Sequence, residues 1–124
     1  MPLKSQTFDA PRSLSDLLLV EVNRDWSREK RTLAPTTLDL PFGTVLAKDE
    51  DGNLVPYLKA AGDNQAVAVS IEDKKTNPAA SPVMVMARGA VLAASELFFL
   101  PAVNATQKTA AKAQLRALGL VPQE

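Results

Sequence analysis

The sequence predicts a mainly β (α+β) domain of short strands, closed by one C-terminal helix and preceded by an extended N-terminal arm. Three observations carry this expectation. Between residues 17 and 100, short apolar runs rich in β-branched residues are punctuated by Pro, Gly, Asp and Asn, at intervals too brief for helices. Residues 106–118 form an Ala-rich stretch with no Gly or Pro. Residues 1–16 are polar and irregular around Pro2 and Pro11, with few sizeable apolar side chains.

A length of 124 residues suits one domain with a real core and is short for two. We therefore divide the chain into an arm, 1–16, and a β-rich domain, 17–124. Apolar residues at 46% and charged residues at 23% give a globular balance rather than a disordered one. Fourteen basic and fourteen acidic side chains cancel. Nucleic-acid binders draw most of their affinity from phosphate contacts and carry an excess of positive charge, so no nucleic-acid partner is expected. The start lacks the apolar core of a signal peptide, and the longest apolar runs are too short to span a bilayer. A soluble protein made in the cytoplasm, with no membrane partner, is expected.

Element by element, residues 17–22 read as a strand because the run is short and no helical period continues it. Residues 31–33 and 37–40 read as brief strands separated by Pro35, and Pro41-Phe42-Gly43 as a turn before a strand over 44–48. Asp51-Gly52 favours a two-residue type I′ hairpin, since Gly tolerates positive φ. The returning strand, 54–58, carries Pro56, which confines it to an edge or a bulge. Residues 66–71 alternate, placing Val67, Val69 and Ile71 on one face.

Residues 83–87 are apolar on both faces, unlike an antiparallel strand with one wet side. Either the strand is central and doubly buried, or one face lies in a subunit interface. Met84 and Met86 are the candidates for that interface, because Met adapts to irregular surfaces. In the tail, Asn104 and Gln107 have the spacing of a capping box, and Gly119 supplies a helix stop. Ala111, Leu115 and Leu118 share one helical stripe. Lys108, Lys112 and Arg116 form a neighbouring one, either a solvated face or a contact for an acidic partner.

Chemistry is conspicuous by what the composition lacks. The absence of His and Cys removes the usual nucleophile–base pairs, thiolate chemistry and nearly all zinc sites. The Asp49-Glu50-Asp51 group departs from a calcium loop, with Gly52 too early and no closing glutamate, and reads as a solvated hairpin tip. Five scattered glycines form no phosphate cradle. No catalytic residue, metal, cofactor or small-molecule substrate is expected, and the chain reads as a structural or binding protein.

Several strings, in order, resemble the head decoration proteins of tailed bacteriophages, the lambda-type capsid-stabilising family. Trp26-Ser27-Arg28-Glu29-Lys30-Arg31-Thr32-Leu33 looks like its opening strand, and Phe42-Gly43-Thr44-Val45-Leu46-Ala47 is similar to its "G-T-V-L-G" element. Asp51-Gly52-Asn53-Leu54-Val55-Pro56-Tyr57 resembles the next hairpin, and Gln65-Ala66-Val67-Ala68-Val69-Ser70 its "A-x-G-I" strand. Arg88-Gly89-Ala90-Val91-Leu92 resembles "R-G-x-V". The string from Lys112-Ala113-Gln114-Leu115 through Arg116-Ala117-Leu118-Gly119-Leu120 looks like the closing helix and "L-G-I". The resemblance covers roughly residues 17–121. Ala47 and Ala68 stand where the family often has Gly, and Val69 and Leu120 where it often has Ile.

This resemblance implies a compact β-clip-like fold and a homotrimer. It implies a capsid decoration or cementing role: binding the major capsid protein at three-fold sites of an expanded head, on the outer surface of the virion. An extended arm suits such binding, because it can add a strand to a sheet edge of a capsid subunit. The apolar side chains expected to anchor it are Phe8, Leu14, Leu17 and Leu19. The alternatives are another phage structural part, such as a tail or baseplate domain, and a small trimeric β enzyme such as a nucleotide pyrophosphatase. The latter needs a carboxylate-rich, phosphate-binding site that the sequence lacks. A carbohydrate-binding module needs exposed aromatics, whereas Trp26 and Tyr57 fall in expected structural segments.

Overall fold

The computed structural model describes residues 17–57 and 65–124, and within them it is mainly β. Five strands close into a barrel: β2 (Arg28–Leu33), β3 (Val45–Lys48), β4 (Leu54–Pro56), β5 (Ala66–Ser70) and β6 (Ser81–Met86), in the order β2-β4-β3-β5-β6. A second sheet has the order β1-β7-β8, from β1 (Leu18–Glu21), β7 (Ala90–Ala93) and β8 (Leu120–Gln123). A one-turn helix, α1 (Arg24–Ser27), joins β1 to the barrel, and α2 (Ala105–Ala117) precedes β8.

Two cores follow from the alternation of side chains along the barrel strands. Leu33, Leu40, Leu46, Leu54, Val83 and Val85 fill the barrel. Val45, Val69 and Met86 point the other way and meet Leu17, Leu92, Leu115 and Leu120 beneath the second sheet and α2. Strands walled by core on both sides need apolar residues on both faces. Each fully buried Leu, Val or Met contributes about 1.5–3 kcal/mol. The apolar run 83–87 is thereby largely explained: between β2 and β5, Val83 and Val85 face the barrel core and Met86 the second core. Met86 is fully buried, so it offers no interface surface, and only Met84 is partly exposed.

The capping box is present as expected. Asn104 Oδ1 accepts from Gln107 N at 2.8 Å, and Gln107 Oε1 accepts from Asn104 N at 2.9 Å. Ala111 and Leu115 are buried, but Leu118 is 41% exposed. It stands at the C-cap, past the last core-facing turn, and Leu120 takes the inward place instead. Pro56 pairs with Leu46 of β3, while β2 meets β4 only at Leu54, so no β2 partner is deprived of a donor.

Three expectations need correction. The β3–β4 turn is not a two-residue type I′ turn. Asp49 N donates to Asn53 O and Gly52 N to Asp49 O, leaving three residues between the paired ends, with Gly52 at φ 84°. Asp49 Oδ1 accepts from both Asp51 N and Asn53 N, so this carboxylate braces the loop. Residues 37–40 form no strand; Thr36 and Leu40 make isolated bridges to Asn77 and Lys74. In β5 a register shift opposite Leu46 and Ala47 skips Val67, which breaks the predicted alternation and separates its side chain from Val69.

Candidate interaction surface

An apolar groove of about 550 Å³ opens where the second sheet meets the barrel. Its projecting wall is Trp26, 52% exposed, with Val22, 69% exposed, and Leu118 beside it. The sequence places the indole there through a local cap. Asn23 Oδ1 accepts from Asp25 N at 3.0 Å and Trp26 N at 3.1 Å, which starts the single turn of α1 that carries the indole. Gly89 lies under the ring: a Cβ at this position would sit 2.4 Å from Trp26 Cζ3. Its φ of 65° also suits only a residue free of Cβ strain.

Arg88 ties the groove together. Its guanidinium lies 5.8 Å from the Trp26 ring centroid, within cation–π range, and donates to Trp26 O and to Glu29 Oε2. Arg31 reaches the other Glu29 oxygen at 3.3 Å. The Arg88 hydrogen bond holds the Glu29 carboxyl below the usual glutamate range; burial opposes this, and the charges of Arg88 and Arg31 add to it. With Lys48 also on the lining, three cations face one carboxylate.

A valine row continues the apolar surface over the outer face of the second sheet. Val20 pairs with Val91, and Val91 with Val121, so the three side chains share that face. The inner face, with Ala90, Leu92 and Leu120, packs on the core. β1 is an edge strand of this sheet.

The sequence-predicted residues divide as follows. Phe8 and Leu14 lie outside the described residues. Leu17 is buried in the second core and is therefore a core residue rather than an exposed anchor. Leu19 is 48% exposed on β1. Met84 borders a shallow cleft with Arg24, Arg28 and Lys30. The basic stripe is largely engaged within the chain. Lys108 lies 5.8 Å from the Phe99 ring centroid, Lys112 pairs with Glu124 at 3.1 Å, and Arg116 donates to Pro122 O at 3.3 Å.

Tyr57 is structural, as expected. It is buried, its hydroxyl donates to Gln107 O at 3.3 Å, and burial raises its pKa. Trp26 is the residue that reasoning from sequence placed wrongly. The only local signal was Asn23, a good N-cap too close to the following strand for more than one helical turn.

No curated protein matches the chain. A family model described as bacteriophage lambda head decoration protein D matches residues 7–120, which take in every described element up to the first residue of β8. The chain therefore belongs to the bacteriophage lambda head decoration protein D family, structural proteins of the phage capsid.

Proposed function

We propose that this protein binds as a homotrimer at three-fold sites on the outer surface of an expanded phage head, contacts the major capsid protein and stabilises the shell. The match over residues 7–120 carries the reading. The placement of residue 17 supports the arm mechanism. Leu17 is anchored in the core and leads into β1, an edge strand of the second sheet. In this reading residues 1–16 add a strand to a capsid subunit, with Phe8 and Leu14 as apolar anchors and Leu19 at the root.

Ordering such an arm costs about 1–2 kcal/mol per residue in backbone entropy, so one arm alone binds weakly. Three arms on one trimer raise the effective concentration and multiply the affinity. Synthesis in the host cytoplasm followed by addition to assembled heads fits this scheme. The test is co-sedimentation with expanded shells. Deletion of residues 1–16 is expected to leave a folded oligomer that no longer binds; retained binding overturns the arm mechanism.

A further inference from the structure

We infer that the Trp26 groove receives the Leu38–Asp39 loop of a second copy of this chain, so that protomers join head to tail. This contact rests on the homotrimer proposed above and specifies how it closes.

Large exposed apolar side chains among the described residues fall in two places. Five belong to the β1–Trp26–Leu118 surface; the sixth is Leu38, 41% exposed. Leu38 is presented rigidly. Its N donates to Thr36 Oγ1 at 3.1 Å, and the Thr36 hydroxyl donates back to Leu38 O at 3.2 Å. The flanks are tied down by paired hydrogen bonds, Thr36 with Asn77 and Leu40 with Lys74. A loop held this way loses little entropy when it docks. Its Leu side chain would otherwise stand in water without benefit to the protomer.

Charge matches as well as shape. Asp39 stands beside Leu38, and its Oδ1 accepts from Thr76 N at 2.8 Å, which leaves Oδ2 available for a cation. The groove offers Arg31, Lys48 and Arg88 against a single carboxylate, Glu29. Trp and Arg are residue types that dominate protein–protein affinity, and both line this groove.

Leu38 and Asp39 do not line the groove of their own protomer. Trp26 precedes the first residue of β2 and Leu38 follows its last, and six strand residues span on the order of 20 Å. Two different patches at separate places make a heterologous contact, which closes into a ring when the rotation permits. A net charge of zero imposes no overall repulsion between copies.

The test is sedimentation of the full chain, 13.3 kDa per protomer. Leu38→Asp spoils the loop and Leu118→Asp spoils the groove. Each is expected to weaken association ~30-fold or more, with unchanged circular dichroism. Mixed together, the two retain one good loop and one good groove, so a 1:1 dimer is expected where neither variant alone self-associates. Asp39→Asn keeps the acceptor for Thr76 and serves should either Asp variant misfold. It is expected to weaken the trimer several-fold and to flatten its salt dependence. A trimeric wild type whose variants stay trimeric, or whose mixed variants stay monomeric, overturns this contact alone. A monomeric wild type overturns the homotrimer and this contact together. Shell co-sedimentation of the arm deletion reports separately on the arm.

Discussion

Arg28 grips Glu21 with two hydrogen bonds, Nε to Oε2 at 2.7 Å and a terminal nitrogen to Oε1 at 3.0 Å. The pair links β1 of the outer sheet to β2 of the barrel, with side chains only 19% and 14% exposed. A planar guanidinium meeting a carboxylate in two places fixes orientation as well as distance. The hydrogen bond to Glu21 raises the Arg28 pKa; burial opposes it, and the Glu21 charge adds to it. The clamp thereby ties the end of β1, next to Val22, to the first residue of β2.

Removing one member leaves the other half-buried and poorly paired. Glu21→Gln is expected to cost about 1–3 kcal/mol in urea unfolding. The double variant Glu21→Gln/Arg28→Gln should lose less than the sum of its parts, since neither charge is then stranded. Additive losses would show that the two side chains act independently.

Glu29 gives a pH signature. Its folded pKa lies below the ordinary value of 4.5, first through the Arg88 hydrogen bond. A depressed carboxyl stabilises the fold above its unfolded pKa and loses that contribution as pH falls through the folded value. Wild type is therefore expected to melt above Glu29→Gln at pH 7. The gap should shrink progressively below about pH 4.5 as the carboxylate is protonated. Exposure of the Glu29 side chain keeps the effect modest. A gap that is constant from pH 7 to pH 3 would contradict the ion pair.

Much of this architecture was legible in the sequence because local chemistry and tertiary packing agree. Asn104 and Gln107 sit where the capping box needs them, and the apolar 83–87 run marks a strand for which burial on both faces is one of two readings. The failures are places where long-range contacts override local pattern. The residue pattern alone reads a strand only over 31–33, yet the six-residue pairing of β2 with β6 extends it back to Arg28, within the segment that resembles the family's opening strand. Thr37–Leu40 look strand-like, but bridges to 74–77 use only the ends of that segment and leave Leu38 outside. The site was the least legible part. Trp26 is exposed because Gly89, 63 positions later, lets the ring lie over its backbone, and no local pattern encodes that approach.

The two methionines of β6 separate burial from surface in one experiment. Met86 is fully enclosed between the barrel wall and the outer sheet, whereas Met84 lies beside Lys30 on the barrel exterior. Truncating a buried Met leaves a cavity, so Met86→Ala is expected to cost about 2–5 kcal/mol. Met84→Ala should cost well under half as much, since its side chain already keeps part of its contact with water. Lysine sharpens the contrast. Met86→Lys buries an unpaired ammonium and should prevent folding, while Met84→Lys can extend its charge into solvent and should fold. The sedimentation of folded Met84→Lys then asks whether the barrel exterior also takes part in assembly. A trimer unchanged by Met84→Lys but broken by Leu118→Asp would put the protomer contact at the Trp26 groove and leave the β6 wall outside it.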